Sequence, residues 1–166
     1  AYAVSKEKKR EAITEMITEL CVSGVNAIVK SEERLQQIRS LFDLDGITVF
    51  SDRGNRLVCR NGNYMAEAPD GRPGFEDEGY LSLFGDDDIF VESNMIKLRS
   101  QNPAAYAVAQ EQEIGAALQC LSRKEGIPYT MVNFEVFNRN RKWSDEDVTL
   151  LTLLGHCIGD LLNYSE

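Results

Sequence analysis

Three observations predict an α+β fold for this chain. Apolar residues recur with helical spacing over residues 1–43, strand-forming hairpins follow in the middle of the chain, and helical spacing returns after residue 144. The length of 166 residues is that of one domain, and a chain of this size buries about two thirds of its unfolded surface. We therefore predict a single domain over 1–166, with N-terminal helices at 1–43 and a sheet and terminal helix at 47–163.

Two helices are predicted at the N-terminus. The first runs from Ser5 to about Val29, because its apolar residues repeat at intervals of three and four and form one stripe with Gly24 in it. The second begins at Ser31, which is a good N-cap residue followed by two glutamates, and ends before Gly46. Both helices therefore have one apolar face to bury.

The middle of the chain predicts two β-hairpins. The first comprises ITVFSD and RLVCR, and the second comprises GAALQCLS and PYTMVNFEVF, because these runs are rich in β-branched and aromatic residues. Residues 61–79 between them carry glycines and prolines with little periodicity, which predicts a long loop. A short strand, DIFVE, and a helix over 94–110 that is interrupted at Pro103 precede the second hairpin.

The stretch NRNRKWSDED, residues 138–147, predicts the start of the last helix. Ser144 is an N-cap candidate, and the acidic residues after it suit the positive end of the helix dipole. Trp143 and Val148 hold the two positions of a hydrophobic staple. The basic residues before them suit a solvated loop better than an anion site: Arg139, Arg141 and Lys142.

The composition excludes several classes of function. With 18 basic and 27 acidic residues the formal net charge is −9, which argues against a nucleic-acid partner because such binding neutralises phosphates. The four cysteines form no CxxC pair, so no metal site is predicted. No apolar run is long enough to cross a bilayer, so we predict a soluble, cytoplasmic chain without a membrane partner. It begins with Ala1, as a segment of a longer protein would.

The C-terminal half resembles a GAF domain. The series comprises a short strand DIFVES, an NPxxY motif at Asn102, Pro103 and Tyr106, the strand VNFEVFN, and WSDED leading into VTLLTLLGHCIGDLL. It is similar to GAF domains attached to bacterial GGDEF and EAL proteins, which make or degrade cyclic di-GMP. The resemblance covers residues 88–163, whereas the N-terminal half matches by element order alone.

This resemblance implies an antiparallel sheet of five or six strands, with the first and last helices on one face and a ligand pocket on the other. It also implies a non-catalytic sensory module that controls an attached output domain. We expect a homodimer through the first and last helices, with Gly24, Gly155 and Gly159 allowing close approach. Thr130 and Asn133 replace glycines that are usual in the last strand, and the cyclic-nucleotide motif is not kept, which argues against cyclic AMP or GMP.

Alternation along the last strand predicts which residues face the pocket. Val132, Phe134 and Val136 share one face with the core, whereas Asn133 and Glu135 point to the other face. Polar groups there would suit a small ligand bearing an amine or hydroxyls, or they would bond to one another, to helix termini or to buried water. The predicted ligand-binding set is Phe50, Tyr106, Gln119, Asn133 and Glu135, with no cofactor.

The sequence is also compatible with two alternatives to a sensor. The first is an enzyme, best represented by GAF proteins that reduce free methionine sulfoxide with cysteines, for which Cys59 and Cys120 are the candidate pair. The second is a dimerisation platform with a vestigial pocket. Catalysis is not predicted, because His156 is the only histidine and no Ser/His/Asp or Cys/His constellation is apparent. Cys157 lies beside it on the wrong element for a bilin pocket.

Overall fold

A six-stranded antiparallel sheet organises the part of the chain that the structure describes. The computed structural model covers residues 2–24, 32–51, 54–60, 63–66 and 77–165, with side chains for 5–24, 32–51 and 77–164. The strand order is β3-β2-β1-β6-β5-β4, so β1 and β6 are central. The strands are β1 Gly46–Ser51, β2 Gly54–Arg60, β3 Asn63–Ala66, β4 Ile89–Glu92, β5 Ile114–Lys124 and β6 Ile127–Phe137.

The helices lie on both faces of this sheet, which confirms the α+β class and the antiparallel sheet. The first and last helices pack on one face with the second, and the short helices lie on the other. The helices are α1 Tyr2–Ser23, α2 Glu32–Leu41, α3 Glu78–Leu81, a 3-10 turn Met95–Lys97, α4 Leu98–Gln101, α5 Pro103–Glu111 and α6 Asp145–Ser165. None of the helices described combines the length and apolar character of a membrane span.

The main hydrophobic core lies between the sheet and the helices α1, α2 and α6. Val132, Phe134 and Val136 of β6 are fully buried in it, which confirms the alternation predicted for this strand. A second, smaller cluster lies on the opposite face, where Phe90, Met95 and other residues pack beneath α5. The sheet is therefore covered on both faces, and the second cluster is the one that borders a cavity.

The predicted end of the first helix is wrong. Helix α1 ends at Ser23, six residues before Val29, and Gly24 follows it with φ of +83°. The Gly24 amide donates to the Leu20 carbonyl at 3.0 Å, as a glycine in the left-handed conformation does after a helix. Gly24 is thus the stop signal of α1 and not a contact point within its stripe, and residues 25–31 lie outside the described residues.

The glycines of α6 also have a different role from the predicted one. A Cβ added at Gly155 would lie 2.7 Å from Sγ of Cys120, and one at Gly159 would meet the side chain of Ser122. Both glycines therefore allow α6 to approach strand β5 of the same chain. Close packing of α6 on the sheet offsets the loss of helix stability that the two glycines cause, so neither glycine supports a contact between helices.

The predicted loop over 61–79 contains regular structure at both ends. Strand β3 pairs with β2 within it, and α3 begins at Glu78, with the Asp77 carboxylate accepting from the Tyr80 amide at 3.2 Å. The rest of this prediction falls on residues 67–76, outside the described residues. The predicted helix over 94–110 is three pieces, and Asn102 caps α5 by accepting from the Ala105 amide at 3.0 Å. The NP of the NPxxY motif is therefore a cap followed by a first-turn proline.

The WSDED stretch starts α6 as predicted, but the basic residues before it are not all solvated. Ser144 Oγ accepts from the Asp147 amide at 3.1 Å, which confirms the N-cap. The side chain of Arg141 is only 11% exposed and pairs with Asp147 at 2.9 Å. It also donates to the carbonyls of Phe42 and Asp43 and stacks on the Trp143 ring, 4.3 Å from its centroid. A sequence pattern cannot distinguish such an arginine from a solvated one.

Helices α1 and α6 run in the same direction. Near their starts, Lys9 donates to Asp147 at 3.0 Å and Arg10 pairs with Glu146 at 2.6 Å. Near their ends, Cys21 lies against Cys157. The pKa of the Cys157 thiol is raised, first by burial and second by its proximity to Cys21. The two pairs of contacts are separated by about 18 Å of α1 and about 15 Å of α6 at 1.5 Å per residue. The helices are therefore parallel neighbours over most of α1.

Candidate functional site

A cavity of about 280 Å³ lies on the sheet face opposite α1 and α6. Its floor is formed by β1, β5 and β6, and its other walls are formed by α3, β4, the 3-10 turn, α4 and α5. Most of its lining is apolar, and a few polar side chains converge on it, which is the usual composition of a small-molecule site. The described lining residues are Phe50, Asp77, Tyr80, Phe90, Met95, Leu98, Ala104, Ala105, Val108, Ala109, Gln112, Ile114, Gln119, Met131 and Asn133.

Strand register places three polar residues in one row on the cavity side of the sheet. Asn133 of the central strand β6 pairs with Thr48 of β1 on one side and with Gln119 of β5 on the other. Gln119 in turn pairs with Phe90 of β4. Side chains of residues directly opposite one another in neighbouring strands are in contact distance. A polar row therefore crosses the sheet from the Thr48 hydroxyl through the side-chain amides of Asn133 and Gln119, and it ends at the ring of Phe90.

Two groups in this row have no hydrogen-bond partner among the described residues. Asn133 is 7% exposed and its Oδ1 accepts nothing, and the Oγ1 of Thr48 is equally unpartnered at 1% exposure. Gln119, by contrast, accepts a hydrogen bond from the Tyr80 hydroxyl. A buried acceptor without a donor costs about 1–3 kcal/mol, so Asn133 and Thr48 are sites where a donor would stabilise the structure.

Tyr80 closes the cavity on the side of α3. Its hydroxyl contacts both Gln119 and, at 3.7 Å, the sulfur of Met131. Burial raises the pKa of Tyr80, and the charge of Glu135 raises it further, so the phenol is protonated at neutral pH and acts as a donor. Its ring packs edge-on against Phe84, with 5.7 Å between centroids, and Phe84 lies 6.0 Å from Phe90. An aromatic cluster therefore extends from α3 to β4 beside the polar row.

The electrostatic character of the lining is acidic. Asp77 is the charged residue among the described lining residues, and no lysine, arginine or histidine is among them. Glu135 lies two positions from Asn133 on β6, on the same sheet face, and is 1% exposed. No group of histidine, cysteine and acidic side chains in the described ranges has the arrangement of a metal site. The described lining thus presents oxygen acceptors and the negative charge of Asp77.

The structure brings three of the five predicted ligand-binding residues to the cavity. Phe50, Gln119 and Asn133 line it. Glu135 is buried on the same face but is not among the lining residues, and it makes an interaction within the chain. Tyr106 lies on the other side of α5 and borders a second cavity of about 450 Å³ beside Arg139. Helical periodicity explains this, because Ala105 and Ala109 face the first cavity and Tyr106 is turned away from it.

Sequence reasoning missed the residues that form the helical walls. Tyr80 begins the segment YLSLF, which suits a strand as well as a helical turn. In the structure it lies in the four-residue helix α3. Met95 and Leu98 lie in the 3-10 turn and α4, where the sequence predicts a single helical segment up to the interruption at Pro103. The division of this segment into two pieces changes which side chains face the sheet. Only the split after Asn102 was signalled, by Pro103.

The cysteines are not arranged for redox chemistry in this cavity. Cys120 packs in the main core on the other face, and burial raises the pKa of its thiol to about 12. Cys59 and Cys120 lie on β2 and β5, with β1 and β6 between them. Three strand spacings of about 4.8 Å separate their backbones by about 14 Å, whereas a disulfide needs Cα atoms within about 7 Å. His156 is on α6, also on the face away from the cavity.

The fold is similar to those of several photosensory domains. The far-red absorbing JSC1_58120g3, solved with bound biliverdin, shares 14% sequence identity and a TM-score of 0.70, with 93% of this chain and 98% of that one covered. The red/green cyanobacteriochrome NpR6012g4 shares 18% identity and a TM-score of 0.63, covering 85% of this chain and 95% of that one. No protein-family model matches the sequence, and no curated protein matches it.

A longer structure has the same fold in one part. The photosensory core module of the Stigmatella aurantiaca phytochrome shares 13% identity and a TM-score of 0.67, with 95% of this chain and 36% of that one covered. A further neighbour, the domain GAF3 of Slr1393 from Synechocystis, has a TM-score of 0.55 at 12% identity, covering 85% of this chain and 94% of that one. This chain has a GAF fold. Because the sequence identities are 18% or lower, the similarity concerns the fold alone. In this chain the cavity lies on the sheet face opposite α1 and α6.

Proposed function

We propose that this chain is a non-catalytic sensory module of the GAF type that binds a small molecule in the cavity above β1, β5 and β6. The observation that carries the proposal is the buried Asn133 amide, whose Oδ1 has no partner among the described residues although it stands on the floor of a largely apolar cavity. Buried polar groups are nearly always hydrogen-bonded, so a ligand that donates to this amide would complete the site.

A covalently bound bilin does not fit the described lining. Biliverdin is present in the neighbour JSC1_58120g3, but no cysteine or histidine is among the described residues of this cavity. The described lining residues also include no lysine or arginine that would pair with the carboxylates of a bilin. The cavity volume of about 280 Å³ also lies just below the range of about 300–1,000 Å³ that drug-sized ligands occupy. We therefore propose a smaller ligand that binds without a covalent bond.

The enzymatic alternative has less support. A thiol-dependent reductase of methionine sulfoxide needs a thiolate in the cavity and a second thiol within reach. Cys120 is on the opposite face of the sheet, and the backbone position of Cys59 is too distant for the two to form a disulfide. The functional alternative of a dimerisation platform remains compatible with the sensor, because a module can bind a ligand and dimerise.

The proposed readout is an attached output domain, of the diguanylate cyclase or phosphodiesterase type that the sequence resemblance implies, in a cytoplasmic bacterial protein. A homodimer through α1 and α6 is part of this proposal. Large apolar side chains are exposed on these two helices, with Val22 at 80%, Leu153 at 56% and Tyr164 at 93% exposure. Leu153 and Tyr164 are three helical turns apart and share a face of α6. Such a face would be buried in a dimer.

A ligand screen with a cavity-filling variant tests the function. Ala105 lines the cavity, whereas Ala107 on the same helix is exposed and does not. Thermal unfolding of the wild type, Ala105→Met and Ala107→Met would be followed with a panel of small metabolites. A ligand at a hundredfold excess over its Kd adds about 2.7 kcal/mol, which raises Tm by roughly 5–10 °C for a chain of this size.

We expect at least one metabolite to stabilise the wild type and Ala107→Met but not Ala105→Met. Methionine in place of alanine keeps the helix propensity nearly unchanged, so the two variants differ mainly in whether the added side chain enters the cavity. A panel that stabilises none of the proteins, or that stabilises Ala105→Met as strongly as the wild type, would contradict binding in this cavity.

A further inference from the structure

We propose that the cavity selects uncharged aromatic molecules that carry an N–H donor, and that it rejects anions of the same size. This inference rests on the proposed function, since it names the chemical class of the ligand for the same cavity. It is carried by four features: the volume of the cavity, its aromatic and thioether walls, the unpartnered Asn133 acceptor in its lining, and the absence of lysine, arginine and histidine from the described lining residues.

The volume limits the ligand to one or two fused rings with a short substituent. A cavity of about 280 Å³ lies just below the range of about 300–1,000 Å³ that ligand pockets usually span. A monocyclic or bicyclic ring system suits so small a site better than a chain of several linked rings. The size of the site therefore favours a ligand near the lower end of what such cavities hold.

The walls favour a flat, aromatic ligand over an aliphatic one. Phe50 and Phe90 present rings to the cavity, and Tyr80 and Phe84 extend the aromatic cluster. The thioethers of Met95 and Met131 also line it. Aromatic rings pair favourably edge-to-face, and sulfur is attracted to ring edges, so an aromatic ligand gains contacts that an aliphatic ligand of equal area does not.

The unpartnered amide oxygen of Asn133 on the floor requires a donor. Asn133 Oδ1 lines the cavity, whereas Thr48, beside it in the row, also has an unpartnered Oγ1 but is not among the lining residues. The Tyr80 hydroxyl already donates its hydrogen to the neighbouring Gln119 oxygen, so it is not available to donate to Asn133. A ligand N–H directed at Asn133 would satisfy an acceptor that otherwise has no partner in the described structure. A ring of the same shape without that donor would leave it unsatisfied.

The charges around the cavity disfavour an anion. The described lining offers no cation, and it includes the carboxylate of Asp77. The first turn of α5 lies at the cavity, but the Asn102 side chain already accepts from the Ala105 amide there. A carboxylate or phosphate would therefore lose its hydration without gaining a positive partner from the described lining. An uncharged molecule avoids this cost.

The test uses two matched pairs of probes with the wild-type chain and isothermal titration calorimetry. Indole and benzothiophene have the same bicyclic shape, but only indole has an N–H donor. Indole-3-acetamide and indole-3-acetate differ in the charge of one terminal group. We expect indole to bind at least fivefold more tightly than benzothiophene, and the acetamide to bind at least tenfold more tightly than the acetate, which corresponds to about 1.4 kcal/mol.

The variant Asn133→Leu identifies the acceptor. It should keep binding benzothiophene while the preference for indole falls to about onefold, and Ala107→Met should behave as the wild type. If Asn133→Leu does not fold, the two probe pairs on the wild type still decide the proposal. Equal or tighter binding of indole-3-acetate, equal binding of indole and benzothiophene, or no binding of any probe would overturn it. An anionic metabolite that passes the Ala105→Met screen would overturn this selectivity while leaving the sensory function intact.

Discussion

At the scale of single residues, burial decides chemistry that residue type alone does not. Asn133 and Arg141 belong to types that are mostly exposed, yet both are largely buried here, one without a described partner for its oxygen and the other with several. Such contrasts separate a candidate binding group from a structural one. The buried polar group that lacks a partner is the one that a ligand could complete.

The cysteines give a direct test at this scale. Burial raises the pKa of the Cys120 thiol to about 12, so at pH 8 roughly one molecule in ten thousand carries the thiolate, compared with about a quarter for an ordinary thiol. Cys21 is exposed. We expect iodoacetamide to label Cys21 rapidly in the native chain and to leave Cys120 unmodified until the chain unfolds.

Peptide mass spectrometry with and without urea measures this labelling. Rapid native labelling of Cys120 at a rate close to that of Cys21 would contradict its position in the core, and it would revive the cysteine-dependent enzyme as an alternative.

At the scale of elements, Arg141 joins three other parts of the fold. Its backbone amide donates to Ser93 after β4, its side chain reaches Phe42 and Asp43 after α2, and it pairs with Asp147 in the first turn of α6. Asp147 also accepts from Lys9 of α1. Met95, which lines the cavity, follows two residues after Ser93. The network therefore connects the cavity side of the sheet with both long helices.

Removal of Arg141 is expected to be costly. The side chains of Arg141 and Asp147 are 11% and 9% exposed, and loss of one partner from a buried pair costs about 3–5 kcal/mol when the other charge is left unpaired. Lys9 still pairs with Asp147 after the substitution, so we place the cost near the lower end, at about 3 kcal/mol. Burial lowers the pKa of Arg141 and Asp147 raises it again, so the pair holds its charge through mutual contact. We expect Arg141→Leu to lower the free energy of unfolding by that amount, as measured by urea denaturation.

Arg139→Leu is the matched control, because Arg139 lies two residues away and its side chain is 42% exposed where it pairs with Asp43. Exposed ion pairs contribute about 0–1 kcal/mol, so this change should have little effect. Equal destabilisation by both substitutions would show that the loop as a whole, and not the buried pair, is responsible.

The order and type of the main elements could be predicted from the sequence, because hydrophobic period and capping residues are local signals. The ends of helices and the orientation of glycines could not. Gly24 has the same spacing whether it lies within an apolar stripe or stops the helix, and its φ of +83° is what distinguishes the two. Gly155 and Gly159 approach Cys120 and Ser122 of β5, more than thirty residues earlier in the chain, which no local pattern specifies. The cavity floor followed from strand alternation, whereas its roof depends on how short helices pack.

At the scale of the whole molecule, the exposed apolar side chains of α6 lead to a prediction about assembly. We expect light scattering at tens of micromolar to give a dimer for the wild type. Leu153→Glu should give a monomer, because a charge would be placed in the proposed interface. Ile127→Glu is the control, since Ile127 is 68% exposed at the start of β6, away from the helices. A monomeric wild type, or dissociation by both substitutions, would contradict an interface on α6.

The parallel arrangement of α1 and α6 has a mechanical consequence. Because the two helices point the same way, the first turn of α1 and the last turn of α6 lie at opposite ends of the helical layer, about 30 Å apart for helices of this length. A displacement of the start of α1 along its axis would be transmitted to the end of α6 in nearly the same direction. The ion pairs of Lys9 and Arg10 with α6 resist sliding of one helix along the other. The two helices would then move together as one rigid layer, which transmits axial displacement and rotation from one end to the other.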